Sequence, residues 1–280
     1  MELASKDIYI KAGDEVNIFF LGDIHEGSAN HADREFRKAI QIIKDTRNSY
    51  VLGMGDYIDA ITYWDKRFNP SEIDPAYLIK DLKDLPARQM NNLYNKLLPI
   101  QDRFLGVLYG NHEETYIRYN SFDPVKYLAE KMGNVPRLGY TAMFKLGIIR
   151  QKGRPRSNYN FIIDLNHGAG GGGYREGYPL NKCHDVFRWT SGDVRVMGHL
   201  HALVEDDKEF LEYRQGGNTN YRTVWFGVSG CFLYKIKEGT RGYFEPKPGP
   251  HSDIGMLKLK IIVSADKKAN CTTSLEKVRL

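Results

Sequence analysis

Five short apolar runs in this chain each stop abruptly in a glycine or asparagine set beside a histidine or a carboxylate. They are VNIFFLGDIH (16–25), SYVLGMGDYID (49–59), FLGVLYGNHEE (104–114), NFIIDLNHGAG (160–170) and DVRVMGHLHA (193–202). A short apolar run closed by turn residues reads as a buried strand, so five strands deliver polar side chains at their C-terminal ends. Between the first two, HADREFRKAIQIIKDTR spaces Phe36, Ala39, Ile40 and Ile43 at helical intervals, which predicts a strand–helix–strand unit and parallel pairing. DPVKYLAEKMG predicts a second helix, with Asp123 as N-cap, Pro124 opening the first turn, Val125, Leu128 and Met132 on the apolar face and Gly133 as the stop. Farther on, TVWFGVSGCFLYKI and GMLKLKIIVSA read as strands with little helix between them. The pattern predicts an α/β sandwich of sheets covered by helices, and ligands in such folds gather at the C-terminal ends of strands.

The 280 residues read as one domain spanning 1–280, because no Pro/Ser-rich linker or block of charge divides them. Forty basic against thirty-five acidic residues leave a net charge of +5, spread along the chain, which admits polyanionic partners without marking a nucleic-acid tail. The three cysteines, Cys183, Cys231 and Cys271, form no C-x-x-C pair and are odd in number, as expected of free thiols in a reducing compartment. MELASKDIYIKAGDE carries charges where a signal peptide needs an apolar core, and no apolar run approaches the roughly 18 residues of a membrane span. A cytoplasmic protein with no membrane partner is the expectation; oligomeric state is not legible.

Asp23, His25, Asp56, Asn111, His112, His167, His199 and His201 all follow directly on apolar runs, and they are oxygen and imidazole donors with no thiolate among them. Such a set suits divalent ions of borderline-to-hard character, such as manganese, iron(II), zinc or magnesium. In this order the motifs GDIH, GDYID, GNHE, a lone His and GHLH resemble the calcineurin-like metallophosphoesterase superfamily from about Gly22 to His201. The resemblance implies a four-layer α/β/β/α sandwich of two mixed sheets flanked by helices. It also implies a binuclear centre in which Asp23, His25 and His201 bind one metal, Asn111, His167 and His199 bind the other, and Asp56 bridges them. Two cations held about 3.5 to 4 Å apart by one carboxylate can activate a bridging water and clamp a phosphoryl group. His112 matches the family's non-ligand histidine, placed to stabilise the transition state or protonate the leaving oxygen, with support of a neighbouring ligand as the alternative. Asp59 can hydrogen-bond a ligating histidine or serve as a turn acid, and Glu113 can orient His112 or cap the segment that follows.

Two departures bear on the substrate. The Ser/Thr protein phosphatases place an arginine after the second motif, where this chain has Ala60 and Ile61, and the intact Gly-His-x-His is nearer to the phosphodiesterase and nuclease branches. An insertion at about 61–100 contains Trp64, Lys66 and Arg67, whose rings and cations can meet bases and phosphates; it can equally form a lid or an oligomer contact. Gly168, Gly170 and Gly173 match G-x-G-x-x-G, but no Gly-Lys-Ser/Thr follows and YREGYP makes a poor helix, so a phosphate-binding P-loop is excluded. The run is read instead as one wall of the metal site around His167, with backbone lying close to phosphate and Arg175 as a further phosphate contact. The expected activity is two-metal hydrolysis of a phosphodiester in nucleic acid or a nucleotide. A phosphomonoesterase or nucleotidase is the alternative, and an inactive metal-bearing scaffold the third reading.

Overall fold

The computed structural model describes residues 1–11, 13–65, 68–77, 79–150, 158–171, 175–213, 217–240, 251–264 and 271–280. Its strands are β1 (Glu2–Ile10), β2 (Glu15–Leu21), β3 (Ser49–Gly53), β4 (Phe104–Val107), β5 (Thr141–Arg150), β6 (Asn158–Asn166), β7 (Val194–Met197), β8 (Leu203–Tyr213), β9 (Thr219–Ser229), β10 (Gly255–Val263) and β11 (Cys271–Arg279). Its α-helices are α1 (Asp33–Asp45), α2 (Leu85–Leu97), α3 (Asn111–Tyr119), α4 (Pro124–Lys131) and α5 (Tyr178–Val186). Two mixed sheets result: a five-stranded one in the order β11-β10-β2-β3-β4 and a six-stranded one in the order β1-β5-β6-β7-β9-β8. All five runs that end in a motif are strands. β2, β3 and β4 lie parallel in one sheet, and β6 and β7 lie parallel in the other.

β2 shows why the runs are apolar on both faces. Ile18 and Phe20 point into a core shared with Leu52 of its own sheet and Phe144, Ile163 and Val196 of the other, whereas Phe19 and Leu21 join Phe36, Ile40 and Ile43 beneath the helices. A strand covered on both sides cannot alternate polar with apolar. The five-stranded sheet thus carries α1, α2 and α4 on its outer face. The six-stranded sheet carries α5, through Cys183 and Phe187 against Val224, Phe226 and Val228. The order of layers is helix, sheet, sheet, helix.

α1 buries the four residues expected of it, Phe36, Ala39, Ile40 and Ile43, and places Asp33 and Glu35 in its first turn and Lys44 in its last, matching the helix dipole. In α4 the Asp123 side chain accepts from the Lys126 N–H at 2.8 Å, and Gly133 leaves the helix with φ of +85°. The insertion carries a helix of its own. From Leu85 onward it is α2, with Leu85, Met90, Leu93 and Leu97 fully buried, so its second half belongs to the outer helical layer. Among the described residues no helix is long and apolar enough to cross a membrane.

Phe36 is wholly buried and meets the Phe232 ring edge-on at 5.2 Å. Phe36→Ala should therefore cost about 3–5 kcal/mol by leaving a cavity between α1 and the sheet, seen as a lower urea midpoint at unchanged m-value.

Candidate metal centre

Each strand hands its polar residues to a loop whose backbone is held in the left-handed region. Asp23 (φ 49°), His25 (53°), Asp56 (49°), His199 (69°) and His201 (54°) all have positive φ. Among the described residues only eight non-glycine positions do so, and five of them are expected ligands. A left-handed conformation costs an ordinary residue about 1–3 kcal/mol, so the strain is concentrated where donors must be aimed. The neighbouring glycines answer a crowding problem. A Cβ on Gly110 would collide with the Asp56 backbone and carboxylate, and one on Gly55 would come within 2.7 Å of both the Gly110 nitrogen and His167 Nδ1.

The result is two adjoining groups of donor atoms. Asp23, His25 and His201 offer atoms all within 4.8 Å of one another, as do Asp56, His167 and His199. In the first group the Nε2 atoms of His25 and His201 approach to 3.1 Å, and His201 Nε2 lies 3.4 Å from Asp23 Oδ1. In the second, His167 Nε2 lies 3.2 Å from Asp56 Oδ2 and 3.1 Å from Asn111 Oδ1. Asp56 Oδ2 is also 3.9 Å from His25 Nε2, which places this carboxylate between the groups. A third grouping within the same 4.8 Å limit joins His112 to His25 and Asp56.

Asp23 and Asp56 are 0% and 1% exposed, yet among the described residues no Lys or Arg lies within ion-pair reach of either. Buried carboxylates surrounded by imidazoles need positive charge, which a divalent cation of the oxygen-and-nitrogen-preferring kind would supply. The residues present fit that group. A further trio, Glu26, His31 and Asp33, does not need one. The Lys96 ammonium already spans it, 2.6 Å from Glu26 Oε2 and 2.5 Å from Asp33 Oδ1.

Backbone carbonyls select which ring nitrogen is available. His167 Nδ1–H donates to the Met54 carbonyl at 2.7 Å, which turns Nε2 toward the donor group, and His199 Nε2–H donates to the Gly170 carbonyl at 2.7 Å, which leaves Nδ1. His112 Nδ1–H donates to the Asp59 carbonyl at 2.5 Å, leaving Nε2. Asp23 accepts the His199 N–H at 3.1 and 3.0 Å, and Asp56 Oδ1 accepts the His112 N–H at 3.0 Å. Burial lowers the His167 pKa, but the Asp56 carboxylate outweighs it and raises His167 to about 9. Burial and the neighbouring His112 hold His25 well below its usual value, in the neutral form a metal needs.

Glu113 caps rather than orients. Fully buried, its carboxylate accepts from the N–H groups of Tyr57 at 2.7 Å, Gly110 at 3.0 Å, and Asp56 and Ile58 at 3.1 Å, so it stitches the second motif to the third. Burial beside Asp56 nevertheless pushes it up to about 7. The Asp59 carboxylate stands 4.0 Å from Nδ1 of both His25 and His112. Trp64 is 79% exposed and packs on Tyr63 with ring centroids 4.3 Å apart. Arg175 is exposed, its carbonyl accepting from Tyr178 N–H where α5 begins, so a helix does follow YREGYP, starting at its fifth residue. Among the described residues neither Trp64 nor Arg175 has a polar or ring contact with the donor groups. Lys66 and Arg67 lie outside the described residues, as do Gly172 and Gly173. Three contributors carry no motif and were not anticipated: the Met54 and Gly170 carbonyls, and Cys231, whose thiol, with Asp23, raises His201 well above its usual pKa against the opposing effect of burial.

Two stacked mixed sheets flanked by helices, with histidines and aspartates converging at the strand ends, define a metallophosphoesterase-type α/β protein. A family model for calcineurin-like phosphoesterases matches residues 16–203, and the chain belongs to that family. Among solved structures it is similar to Vps29 of Chaetomium thermophilum, at 14% identity over 94% of this chain and 96% of that one with a TM-score of 0.35. It is also similar to a predicted phosphoesterase of Streptococcus pneumoniae, at 11% identity over 95% and 100% with a TM-score of 0.32. A Vps29 mutant of Entamoeba histolytica is 13% identical over 93% and 99%, with a TM-score of 0.34. No curated protein matched the sequence.

Glu113→Ala should destabilise the chain by about 3–5 kcal/mol, because it leaves buried N–H groups without an acceptor; denaturant melts of the metal-free protein measure this. With His167 raised to about 9, the metal-free protein is protonated there at pH 7, and a metal must displace that proton. Manganese affinity should rise with pH until about 9 and then level, and calorimetry in buffers of different ionisation enthalpy should register proton release on binding.

Proposed function

We propose that the chain is a two-metal phosphodiesterase that hydrolyses phosphodiester bonds in nucleic acid or nucleotides. The observation that carries this reading is the pair of donor groups meeting at Asp56, between His25 at 3.9 Å and His167 at 3.2 Å. Asp23, His25 and His201 would hold one divalent ion, and Asn111, His167 and His199 the other, with manganese the first candidate. When bound, the ions supply Lewis acidity, lowering the pKa of a water and polarising the phosphoryl oxygens.

The chain's own residues do the rest. The Met54 and Gly170 carbonyls keep the His167 and His199 rings turned so that one nitrogen of each remains for the donor group they form with Asp56. The Asp59 carbonyl fixes His112 Nδ1 as a donor, so Nε2 is the atom turned to the leaving oxygen, able to donate to it once the ring has taken up a second proton from solvent. Glu113 keeps the Asp56 loop and the Asn111 helix in register by accepting N–H groups from both sides. A diester is favoured over a monoester by the intact Gly-His-x-His at 198–201, which is nearer to the phosphodiesterase and nuclease branches of the family. The complete donor set weighs against an inactive scaffold.

The test is turnover of bis- and mono-(4-nitrophenyl) phosphate by the manganese-loaded protein. Faster hydrolysis of the diester is expected, and His112→Ala should lower kcat by about 10²–10⁴-fold while elemental analysis finds the metal content retained. Preference for the monoester would replace the reading with a phosphomonoesterase, and no turnover of either would remove it.

A further inference from the structure

The loop that carries His201 is gripped by a part of the chain outside the five motifs. His201 is left-handed, with φ of 54°, and leads into β8, which begins at Leu203. Asp253, fifty residues from Leu203, holds this turn at both ends. Its backbone N–H donates to the His201 carbonyl at 2.9 Å, and its carboxylate Oδ2 accepts the Leu203 N–H at 3.0 Å. Between those two points the Ala202 carbonyl accepts the Gly230 N–H at 2.9 Å. The other carboxylate oxygen, Oδ1, takes Arg279 Nη1 at 3.2 Å from the end of β11, which leaves Oδ2 for Leu203.

Asp253 also reaches the His201 ring at one remove. Its carbonyl accepts the Cys231 N–H at 3.1 Å, and the Cys231 thiol hydrogen-bonds His201. The next N–H, of Phe232, donates to the Asp23 carbonyl at 2.8 Å. Backbone anchored by Asp253 thus lies against two of the three members of the group Asp23, His25 and His201. His199 shares the loop but is held separately, its N–H by the Asp23 carboxylate and its Nε2–H by the Gly170 carbonyl. The grip therefore bears directly on one donor group and not on the group of Asp56, His167 and His199. Asp253 and Arg279 both lie beyond residues 16–203, the span matched by the family model.

Resting on the two-metal reading of the site, we propose that Asp253 is a positioning residue for the ion that Asp23, His25 and His201 would hold: its carboxylate fixes the Leu203 N–H and, through that turn, the direction in which His201 presents its ring. A short turn transmits the grip, because side-chain direction follows backbone φ and ψ. Partners one step behind a metal ligand set affinity by holding the ligand's orientation.

Manganese titrated calorimetrically into the metal-free chain should bind in two steps. Asp253→Ala should weaken one step about 10–100-fold and leave the other unchanged. In the same variant the exchange-coupled electron paramagnetic resonance spectrum of a manganese pair should give way to that of an isolated ion. Asp253→Asn, which keeps an oxygen for the Leu203 N–H, should restore both readouts, and Arg279→Ala, which leaves Oδ2 in place, should alter neither. A loss of stability alone moves neither the spectrum nor the split between steps, and thermal melts of the metal-free variants confirm folding. If Asp253→Ala does not fold, Asp253→Glu, which carries the carboxylate one methylene past the amide, takes its place with the same expected weakening. Wild-type binding in that variant, or equal loss in Asp253→Asn, overturns the positioning role. No manganese bound by the wild type overturns both readings. Two ions bound without turnover of either nitrophenyl ester remove the phosphodiesterase reading and keep the role of Asp253; turnover with ion binding unchanged in Asp253→Ala does the reverse.

Discussion

Two carboxylates, Asp23 and Asp56, are taken almost completely out of water at the meeting edge of two sheets, and the rest of the molecule is arranged around the cost of doing so. A buried carboxylate without compensation costs several kcal/mol even after relaxation. Here compensation comes from N–H groups of the following motifs, His199 for Asp23 and His112 for Asp56, and from imidazoles at 3.2 to 3.9 Å. These donors arrive from the ends of four strands, β2, β4, β6 and β7. The two carboxylates are therefore tolerable only when both sheets are stacked and all five loops are in place, which ties the site to the global fold rather than to any one segment.

That dependence explains where the structure accepts strain. Five left-handed non-glycine residues at the strand ends are unfavourable one by one. Their support is the core between the sheets, where Ile18, Phe20, Leu52, Phe144, Ile163 and Val196 fix the strands from which the loops spring. Glu113 adds the cross-link that packing cannot supply, since one fully buried carboxylate accepts N–H groups from loops more than fifty residues apart.

Much of this was legible because the site sits at the ends of strands whose sequence has little freedom. β2, β3 and β7 are buried on both faces, so they read as apolar runs, and the donors follow them directly. The elements that escaped notice are those with one wet face or a motif inside them. β8, LVEDDKEFLEY, and β11, CTTSLEKVR, are edge strands dominated by polar residues, and β1 hides its buried Ile8 and Ile10 at the end of a charged stretch. α3 was obscured because its first three residues, Asn111, His112 and Glu113, read as chemistry rather than as a helix start. The capping role of Glu113 was open in sequence alone because its partners at 56–58 are distant in the chain and carry no side-chain signature, only backbone N–H groups.

α3 gathers several of these roles into one rigid element. Its N-terminal turn brings Asn111 beside His167, the His112 N–H onto Asp56 and Glu113 into the clamp, while its next two turns carry Thr115, Tyr116 and Tyr119 along a pocket. A single helix so placed fixes the distance between the donor groups and that pocket wall. The opposite wall has turn and bend geometry at 63–65, so the spacing is set from the helix side.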